Sequence, residues 1–347
     1  MKKFLTKISF TVLPVWLLLV GMATYLWVTD DNSGDLMRLG LIDSGPEYSD
    51  SIKAGLLPMV YYKGQNNDSL LRRDTCNVLV IGDSFSHGGG VGKIGDYVNY
   101  LAYDSQRHVV VYTPADPTLA SPIQVAYDVL KLGVIDSTNV KNLVVQEVER
   151  YLLERHGAFV TTHKSLPRPV LKDAEDDKPA KKDVSPLLRV KDYVFYHFFG
   201  ANPIYKVKLS QPAFGGKEPD MLYFYNEDVQ RGLHIDEAAR DRVLKPYRAV
   251  IDLARERGVN LVLLVACDKY DLYQDDIVDN PYPTKTVNED LARLMAADGL
   301  PDCVVFSKQV LRPLVEQGVR DVYLFNDTHW SPASSRLIAA EVIARLK

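Results

Sequence analysis

A serine follows an apolar run in the stretch "VLVIGDSFSHGGGVGK", residues 78 to 93. The run ends in Gly82-Asp83-Ser84, and a glycine-rich turn comes directly after it. A serine at the carboxyl end of a buried strand is exposed at the sheet edge, and the amides that follow can stabilise an oxyanion. The pattern predicts Ser84 as a nucleophile with its own amide as one oxyanion donor. The alternative is a plain turn, because Gly, Asp and Ser all favour turns.

A carboxylate and an imidazole stand two residues apart in "NDTHWSPAS", residues 326 to 334. This spacing lets Asp327 lie beside the His329 ring and fix its tautomer, which leaves the other ring nitrogen free to act on Ser84. Ser331 and Pro332 are typical of the first positions of a helix. The three side chains together meet the requirement for nucleophile, base and orienting group. Alternatively, Asp327 caps a turn and His329 is a packed polar residue.

The glycine loop matches no nucleotide-binding motif well. A phosphate-binding P-loop needs glycine and then serine or threonine at the positions of His87 and Ile94. Gly90, Gly92 and Gly95 have the dinucleotide spacing, but they begin eight residues beyond Gly82 instead of at the strand end. The His, Cys, Asp and Glu residues show no metal-ligand spacing. The sequence therefore predicts neither a cofactor nor a metal.

Apolar runs alternate with amphipathic stretches along the chain. This alternation predicts an α/β fold, a three-layer α/β/α arrangement with a mainly parallel sheet. Ligands in such folds lie beyond the carboxyl ends of the strands. Ser84 and the Asp327–His329 pair each follow a predicted strand, so we expect them to meet at one sheet edge. The predicted strands cover residues 77–81, 108–112, 142–148, 259–267, 303–306 and 321–325.

The chain divides into three parts on composition. Residues 1–30 form an N-terminal apolar segment, residues 31–76 a membrane-proximal linker and lead-in, and residues 77–347 the main domain. An insertion interrupts the domain at about 151–235. Its mixed-charge run "KDAEDDKPAKKD" is typical of a solvated loop, whereas its aromatic part is expected to pack on the functional edge of the sheet.

The N-terminal segment has the properties of a membrane anchor. Nineteen residues from Phe10 to Val28 carry no charge, a length of about 28 Å as a helix. Lysines precede them and aspartates follow, which predicts a cytoplasmic N-terminus and a body outside, in the periplasm. A cleaved signal peptide is the alternative.

The charge of the body argues against nucleic acid as a partner. The net charge of the chain is −4, and because Lys2, Lys3 and Lys7 supply three positive charges, residues 8–347 carry −7. Such an acidic body lacks the basic stripe of nucleic-acid-binding proteins. The three cysteines, Cys76, Cys267 and Cys303, cannot all pair within one chain, and we interpret them as buried free thiols. One disulfide is compatible with an oxidising compartment.

Gly82-Asp83-Ser84 with a C-terminal Asp-x-His resembles the SGNH (GDSL) hydrolase superfamily. The form Asp327-Thr328-His329-Trp330 is similar to the narrower alginate O-acetyltransferase (AlgX/AlgJ-like) group, as are "VVQEVERYL" (144–152), "MLYFYNED" (221–228) and "CDKYDLY" (267–273). In the alginate enzymes the Asp-His pair precedes the serine, whereas here the serine comes first. The GxND block of ordinary SGNH hydrolases is replaced by Val145-Gln146-Glu147-Val148.

The resemblance implies a membrane-anchored periplasmic O-acyltransferase that acetylates an exopolysaccharide or cell-surface glycan through an acyl-serine. It implies Ser84 as nucleophile, with Asp327 and His329 completing the triad. It also implies an acyl donor delivered by a multi-spanning membrane O-acyltransferase at the inner membrane. A carbohydrate esterase and a non-catalytic carbohydrate-binding scaffold are the alternatives. The oxyanion and substrate candidates are Gly88, Glu147, Arg150, Trp330 and Lys269, the last of which could instead be a surface charge.

Overall fold

Among the residues that it describes, the computed structural model has at its centre a parallel β-sheet of six strands, in the order β1-β3-β2-β4-β7-β8. The strands are β1 (Tyr62–Gly64), β2 (Val78–Ile81), β3 (Val109–Tyr112), β4 (Asn142–Val148), β7 (Asn260–Ala266) and β8 (Val304–Phe306). The structure describes residues 2–29, 34–36, 52, 54–60, 62–64, 76–90, 92, 94–112, 121–136, 138–164, 203–216, 218–300 and 303–347.

Helices cover both faces of the sheet because its strands are apolar on both sides. Val78 and Val80 of β2 belong to one core cluster, and Leu79 and Ile81 belong to the other. The first cluster defines the α10 face, which is covered by α2 (Tyr97–Ser105), α9 (Ser307–Glu316) and α10 (Pro332–Ile343). The second defines the α6 face, which is covered by α3 (Pro122–Lys131), α6 (Arg240–Glu256) and α8 (Val287–Ala297). The predicted three-layer α/β/α fold is confirmed.

Smaller elements lie beyond the carboxyl ends of the strands. The described part of the insertion includes an antiparallel hairpin of β5 (Ile204–Lys208) and β6 (Met221–Tyr225), whose Phe224 ring lies 5.1 Å from that of Tyr270. The aromatic run 193–199 and the charge run 172–183 lie outside the described residues. The elements of this layer are α4 (Leu152–Gly157), β5 (Ile204–Lys208), β6 (Met221–Tyr225), α5 (Glu227–Gln230) and α7 (Lys269–Tyr273).

The predicted strand 321–325 is wrong. This segment pairs with the residues that follow it instead of joining the sheet: the Leu324 amide donates to the His329 carbonyl, and the Ser331 amide donates to the Val322 carbonyl, both at 3.1 Å. The apolar side chains that suggested a strand are buried because the loop folds into the core. Asp327 and His329 therefore lie at the tip of a tight loop, which we call the 322–331 loop, and not at the end of a sheet strand.

The described residues of the lead-in pack against the domain. Strand β1 pairs with β3 at the sheet edge, so the sheet begins before residue 77, where the sequence placed the domain start. Leu36 is fully buried in the core of the α10 face. The Leu57 amide donates to the Ile94 carbonyl at 3.1 Å. The local sequence gives no sign of these contacts, because they join residues that are far apart along the chain.

The N-terminal segment forms a single helix, α1 (Lys2–Thr29). Within it, Ile8–Tyr25 is long and apolar enough to cross a membrane, and none of this stretch is buried against the rest of the protein. A retained anchor and a signal sequence both have these properties. Of the three free cysteines, Cys76 and Cys267 are buried as predicted, whereas Cys303 is half-buried.

Candidate active site

Ser84 projects from a short 3-10 turn, Ser84–Ser86, that begins directly after β2. Asp83 fixes this turn from both sides: its Oδ1 accepts a hydrogen bond from the Phe85 amide at 3.3 Å, and its Oδ2 accepts one from the Val148 amide at 2.9 Å. Asp83 and Phe85 are buried, whereas Ser84 between them is exposed. The sequence at the strand end thus directs the serine hydroxyl outward from a rigid backbone.

Gln146 supports the same turn from the neighbouring strand β4. Its Oε1 accepts hydrogen bonds from the Asp83 amide at 3.1 Å and from Ser86 Oγ at 2.9 Å. A Cβ at Gly82 would lie 2.1 Å from Ser86 Oγ, so only glycine fits beside this contact. Gln146 lies on a predicted strand, but no motif in the sequence indicates that it supports the nucleophile turn.

Ser84, His329 and Asp327 form a continuous hydrogen-bond relay. His329 Nε2 lies 2.7 Å from Ser84 Oγ, and His329 Nδ1 lies 2.5 Å from Asp327 Oδ1. The His329 amide also donates to Asp327 Oδ1 at 3.0 Å. The structure thus brings Ser84 to a carboxylate and an imidazole that lie more than 240 positions away in the sequence. This arrangement can activate a serine hydroxyl for attack on an acyl carbon.

The electrostatics of the pair suit a general base. Burial acts to lower the pKa of His329, but the charge and hydrogen bond of Asp327, with a smaller contribution from Asp35, outweigh it and raise that pKa above its usual value. Burial acts to raise the pKa of Asp327, but the facing imidazole and two backbone N–H donors hold it below its usual value. Asp327 therefore stays ionised and favours the imidazolium that forms when Ser84 loses its proton.

The glycine turn lies directly over the His329 ring. A Cβ at Gly89 would be 2.2 Å from His329 Nε2, and Gly88 has a φ of +85° that favours glycine. Hydrogen bonds occupy the amides of Phe85, Ser86, His87 and Gly89. The backbone hydrogen bonds of the described residues include none that the Ser84 or Gly88 amide donates. These two N–H groups are the candidates for an oxyanion hole.

We expect Gly89→Ala to remove most of the activity, because the new methyl group occupies the place where His329 Nε2 meets Ser84. The loss should approach the roughly 10²–10⁴-fold that general-base catalysis contributes. Turnover of an activated acetyl ester measures the effect. Gly157→Ala is the matched control, since Gly157, like Gly89, has no positive φ, and a Cβ there makes only an ordinary contact at 3.5 Å with Arg242 Cδ. Equal activity of the two variants would contradict the close approach.

Glu147 lies on the wrong face of the sheet for the site. Side chains alternate along a strand, so Gln146 shares the α10 face while Glu147 points into the α6 face. There the Glu147 carboxylate bonds to His156 Nε2 at 2.9 Å and accepts a hydrogen bond from Ser121 Oγ at 3.2 Å. Its prediction as a residue lining the site is therefore wrong, and its contacts are those of a buried polar network.

Arg150 and Lys269 are buried, which contradicts a direct part in binding substrate. Arg150 donates to Asp228 at 2.6 Å and pairs with Asp268, inside a buried cluster of charges. Lys269 is fully buried, and its Nζ donates to the carbonyls of Leu324, Phe325 and Asp327 at 2.7 to 3.2 Å. Burial lowers the pKa of Lys269 to about 7. Lys269 thus holds the 322–331 loop and is neither a surface charge nor a substrate ligand.

Trp330 packs behind the site. Its ring lies 4.5 Å from that of Phe85, and its Nε1 donates to the Tyr323 hydroxyl at 2.9 Å. Trp330 was a candidate for contact with substrate, but its side chain is only 2% exposed. It links the Ser84 turn to the 322–331 loop and so holds Ser84 and His329 in position relative to each other.

Asp35 is a site residue that the sequence analysis missed. Its carboxylate lies beside Asp327 and His329, with ligand atoms of the three within 4.8 Å of one another. A cation could fit such a group by distance, but backbone and side-chain N–H and O–H donors already occupy the carboxylate oxygens. We therefore interpret the group as a hydrogen-bonded network and base no metal site on it.

Comparison with known proteins identifies part of the chain. Residues 218–347 match the family model described as ALGX: SGNH hydrolase-like domain, acetyltransferase AlgX. This match includes Asp327 and His329, and Ser84 lies outside it. The predicted resemblance to the SGNH and AlgX-type proteins is confirmed over these residues.

Individual known proteins show only low similarity to this chain. No curated protein matches the chain significantly. One solved structure, "Structure of a putative lipolytic protein of G-D-S-L family from Desulfitobacterium hafniense DCB-2", is 11% identical and covers 78% of this chain and 99% of its own, with a TM-score of 0.37. That similarity is too low to support an argument about the site.

Proposed function

We propose that this protein is a membrane-anchored O-acyltransferase that acetylates hydroxyl groups of an exopolysaccharide or cell-surface glycan. The observation that carries the proposal is the relay from Ser84 Oγ to His329 Nε2 at 2.7 Å and from His329 Nδ1 to Asp327 at 2.5 Å. The match of residues 218–347 to an acetyltransferase domain supports the reaction class. The general activity of such a domain is ester chemistry, either acyl transfer or hydrolysis.

The reaction proceeds in two balanced steps. Ser84 Oγ attacks the acyl carbon of the donor ester while its proton passes to His329 Nε2, and the donor oxygen leaves with that proton. The acyl group is now an ester of Ser84. A sugar hydroxyl then gives its proton to His329 Nε2 and attacks the acyl carbon, and Ser84 Oγ leaves and regains the proton. The amides of Ser84 and Gly88 are proposed to stabilise the oxyanion in both steps.

Product analysis tests this function. The full-length protein in detergent or membranes is incubated with an activated acetyl ester, with and without a panel of exopolysaccharides. We expect acetylated glycan and an acetyl-Ser84 peptide by mass spectrometry. Acetate release that no glycan diverts would indicate an esterase instead. Absence of an acyl-serine under both conditions would contradict an enzymatic function and favour the carbohydrate-binding scaffold.

We further propose that the catalytic domain lies on the periplasmic side of the inner membrane, near a multi-spanning acyltransferase that supplies the donor. The uncharged stretch of α1 with lysines before it supports this orientation. A reporter fused after Lys347 should be active in the periplasm, and the protein should stay in the membrane fraction after a salt wash. Release of a shorter soluble species would show that α1 is a cleaved signal.

A further inference from the structure

A three-residue segment just beyond the membrane-anchor helix contacts the 322–331 loop directly. Gly34 has a φ of +124°, and a Cβ there would lie 2.3 Å from the Asn326 carbonyl oxygen. Leu36 is fully buried in the core of the α10 face. Gly34 and Leu36 thus fix Asp35, which lies between them, at one place on the domain.

Asp35 makes three hydrogen bonds to two neighbouring residues of the 322–331 loop, Asp327 and Thr328. Its backbone amide donates to Asp327 Oδ2 at 2.9 Å. Its Oδ1 accepts from the Thr328 amide at 2.9 Å, and its Oδ2 accepts from the Thr328 hydroxyl. Asp35 Oδ2 also lies 3.8 Å from His329 Nδ1. The Asp35 carboxylate therefore binds the loop at Thr328, the residue between Asp327 and His329.

These contacts complete the hydrogen bonding of Asp327. Its Oδ1 is occupied by His329, and its Oδ2 is occupied by the Asp35 amide. A carboxylate bonded at only one oxygen can rotate about its last side-chain torsion, which is soft in Asp. With both oxygens bonded, Asp327 is held in the orientation that faces Nδ1. The Asp35 carboxylate adds a second negative charge beside the ring and contributes to raising the pKa of His329.

We propose that Asp35 is a positioning residue of the base: it holds Asp327 and Thr328 so that His329 meets Ser84 in the reactive orientation. The inference rests on the proposed function, since it takes His329 as the base. In this arrangement, the segment that follows α1 contributes a residue to the site. Asp35 is six positions along the chain from Thr29, so the two lie at most about 22 Å apart at ~3.6 Å per residue, and the site is held close to the end of α1.

The test replaces Asp35 with Asn in the full-length membrane protein, which removes the charge and leaves the backbone amide in place. The readout is the rate at which a fluorophosphonate labels Ser84, measured against pH. In this reaction Ser84 Oγ bonds to phosphorus, fluoride leaves, and the hydroxyl proton passes to His329 Nε2. Labelling therefore reads the base without the natural donor or acceptor.

We expect the maximal labelling rate of Asp35→Asn to fall about 10-fold, a part of the ~10²–10⁴ that general-base catalysis contributes. We also expect the acid limb of the pH profile to move to lower pH. The charged groups that act on the ring are Asp327, Asp35 and Arg150, and removing one negative charge lowers the pKa of His329. Asp104→Asn is the control, since it makes the same change at an exposed ion pair with Arg336.

Thr328→Val provides a second measurement if Asp35→Asn does not fold. It removes the hydroxyl donor to Asp35 and keeps both carboxylates, so the rate should fall without a shift of the acid limb to lower pH. A wild-type rate and pH profile in the folded Asp35→Asn variant would overturn the inference while leaving the triad intact. Labelling that depends on Asp35 in a protein that acetylates no glycan would instead overturn the acceptor part of the proposed function. No labelling of the wild type would overturn both.

Discussion

Ser84→Ala is expected to abolish covalent labelling and acyl transfer while leaving the fold intact. The substitution removes the atom that carries the acyl group in the proposed reaction. In a serine protease that also uses a Ser-His-Asp triad, loss of the nucleophile lowers the rate about 10⁶-fold. Ser84 is exposed and its Oγ contacts His329, so little packing is lost. Turnover of an activated acetyl ester and fluorophosphonate labelling measure the effect, and circular dichroism checks the fold.

His329→Ala should be almost as damaging, because residues that act as a unit are strongly non-additive. The Ser84 hydroxyl remains, but it has no acceptor for its proton. Since the His329 ring packs 4.5 Å from that of Phe85, this variant also leaves a small cavity, and its melting temperature has to be measured beside its activity. If His329→Ala is folded and active, the assignment of the triad is wrong and another centre performs the chemistry.

Sequence could predict those parts of the site that depend on a few neighbouring residues at the end of an apolar run. An apolar strand followed by Gly82-Asp83-Ser84 dictates a turn at a sheet edge, and Asp327-Thr328-His329 allows a paired carboxylate and imidazole. The strand prediction at 321–325 was wrong because its apolar side chains reflect burial of the loop against the core. Periodicity cannot distinguish a short buried loop from a short buried strand.

The wrong assignments on β4 and α7 have different causes. Strand β4 is buried on both faces, so alternation separates Gln146 from Glu147 but cannot say which of them faces the site. Lys269 was read as exposed because lysine is seldom fully buried without partners. Its partners here are backbone carbonyls of the 322–331 loop, and a sequence gives no sign of them.

Asp35 could not have been found by motif at all. It lies 292 residues from Asp327, in a polar stretch that is typical of a linker. Its place in the site depends on the close approach of Gly34 to the 322–331 loop, a tertiary contact without a local signature. The domain boundary at residue 77 was placed too late for the same reason, because the lead-in contributes a strand and a buried leucine only once the sheet exists.

Asp327→Asn is expected to reduce acyl transfer by about 10²- to 10³-fold, less than the ~10⁴ seen when the same change imposes the wrong tautomer in a serine protease. The hydrogen bonds around Asp327 explain the difference. With the amide oxygen at the position of Oδ1, Asn still accepts from both the His329 amide and Nδ1, while its NH₂ faces the Asp35 amide, which loses its acceptor. The flipped amide would instead place its NH₂ against the His329 amide. Each orientation thus sets the NH₂ against one backbone N–H, so we expect the productive tautomer to remain populated.

What Asp327→Asn removes is the negative charge that stabilises the imidazolium while the acyl group is transferred. The same charge and its hydrogen bond raise the pKa of His329, so the acid limb of the pH–rate profile should move to lower pH in this variant. Nitrogen NMR of labelled histidine reports the tautomer, and turnover of an activated acetyl ester reports the rate. A fall of 10⁴-fold or more with the proton on Nε2 would show that the amide flips. Full activity would show that Asp327 only caps the loop and that Asp35, the other carboxylate beside Nδ1, orients the base.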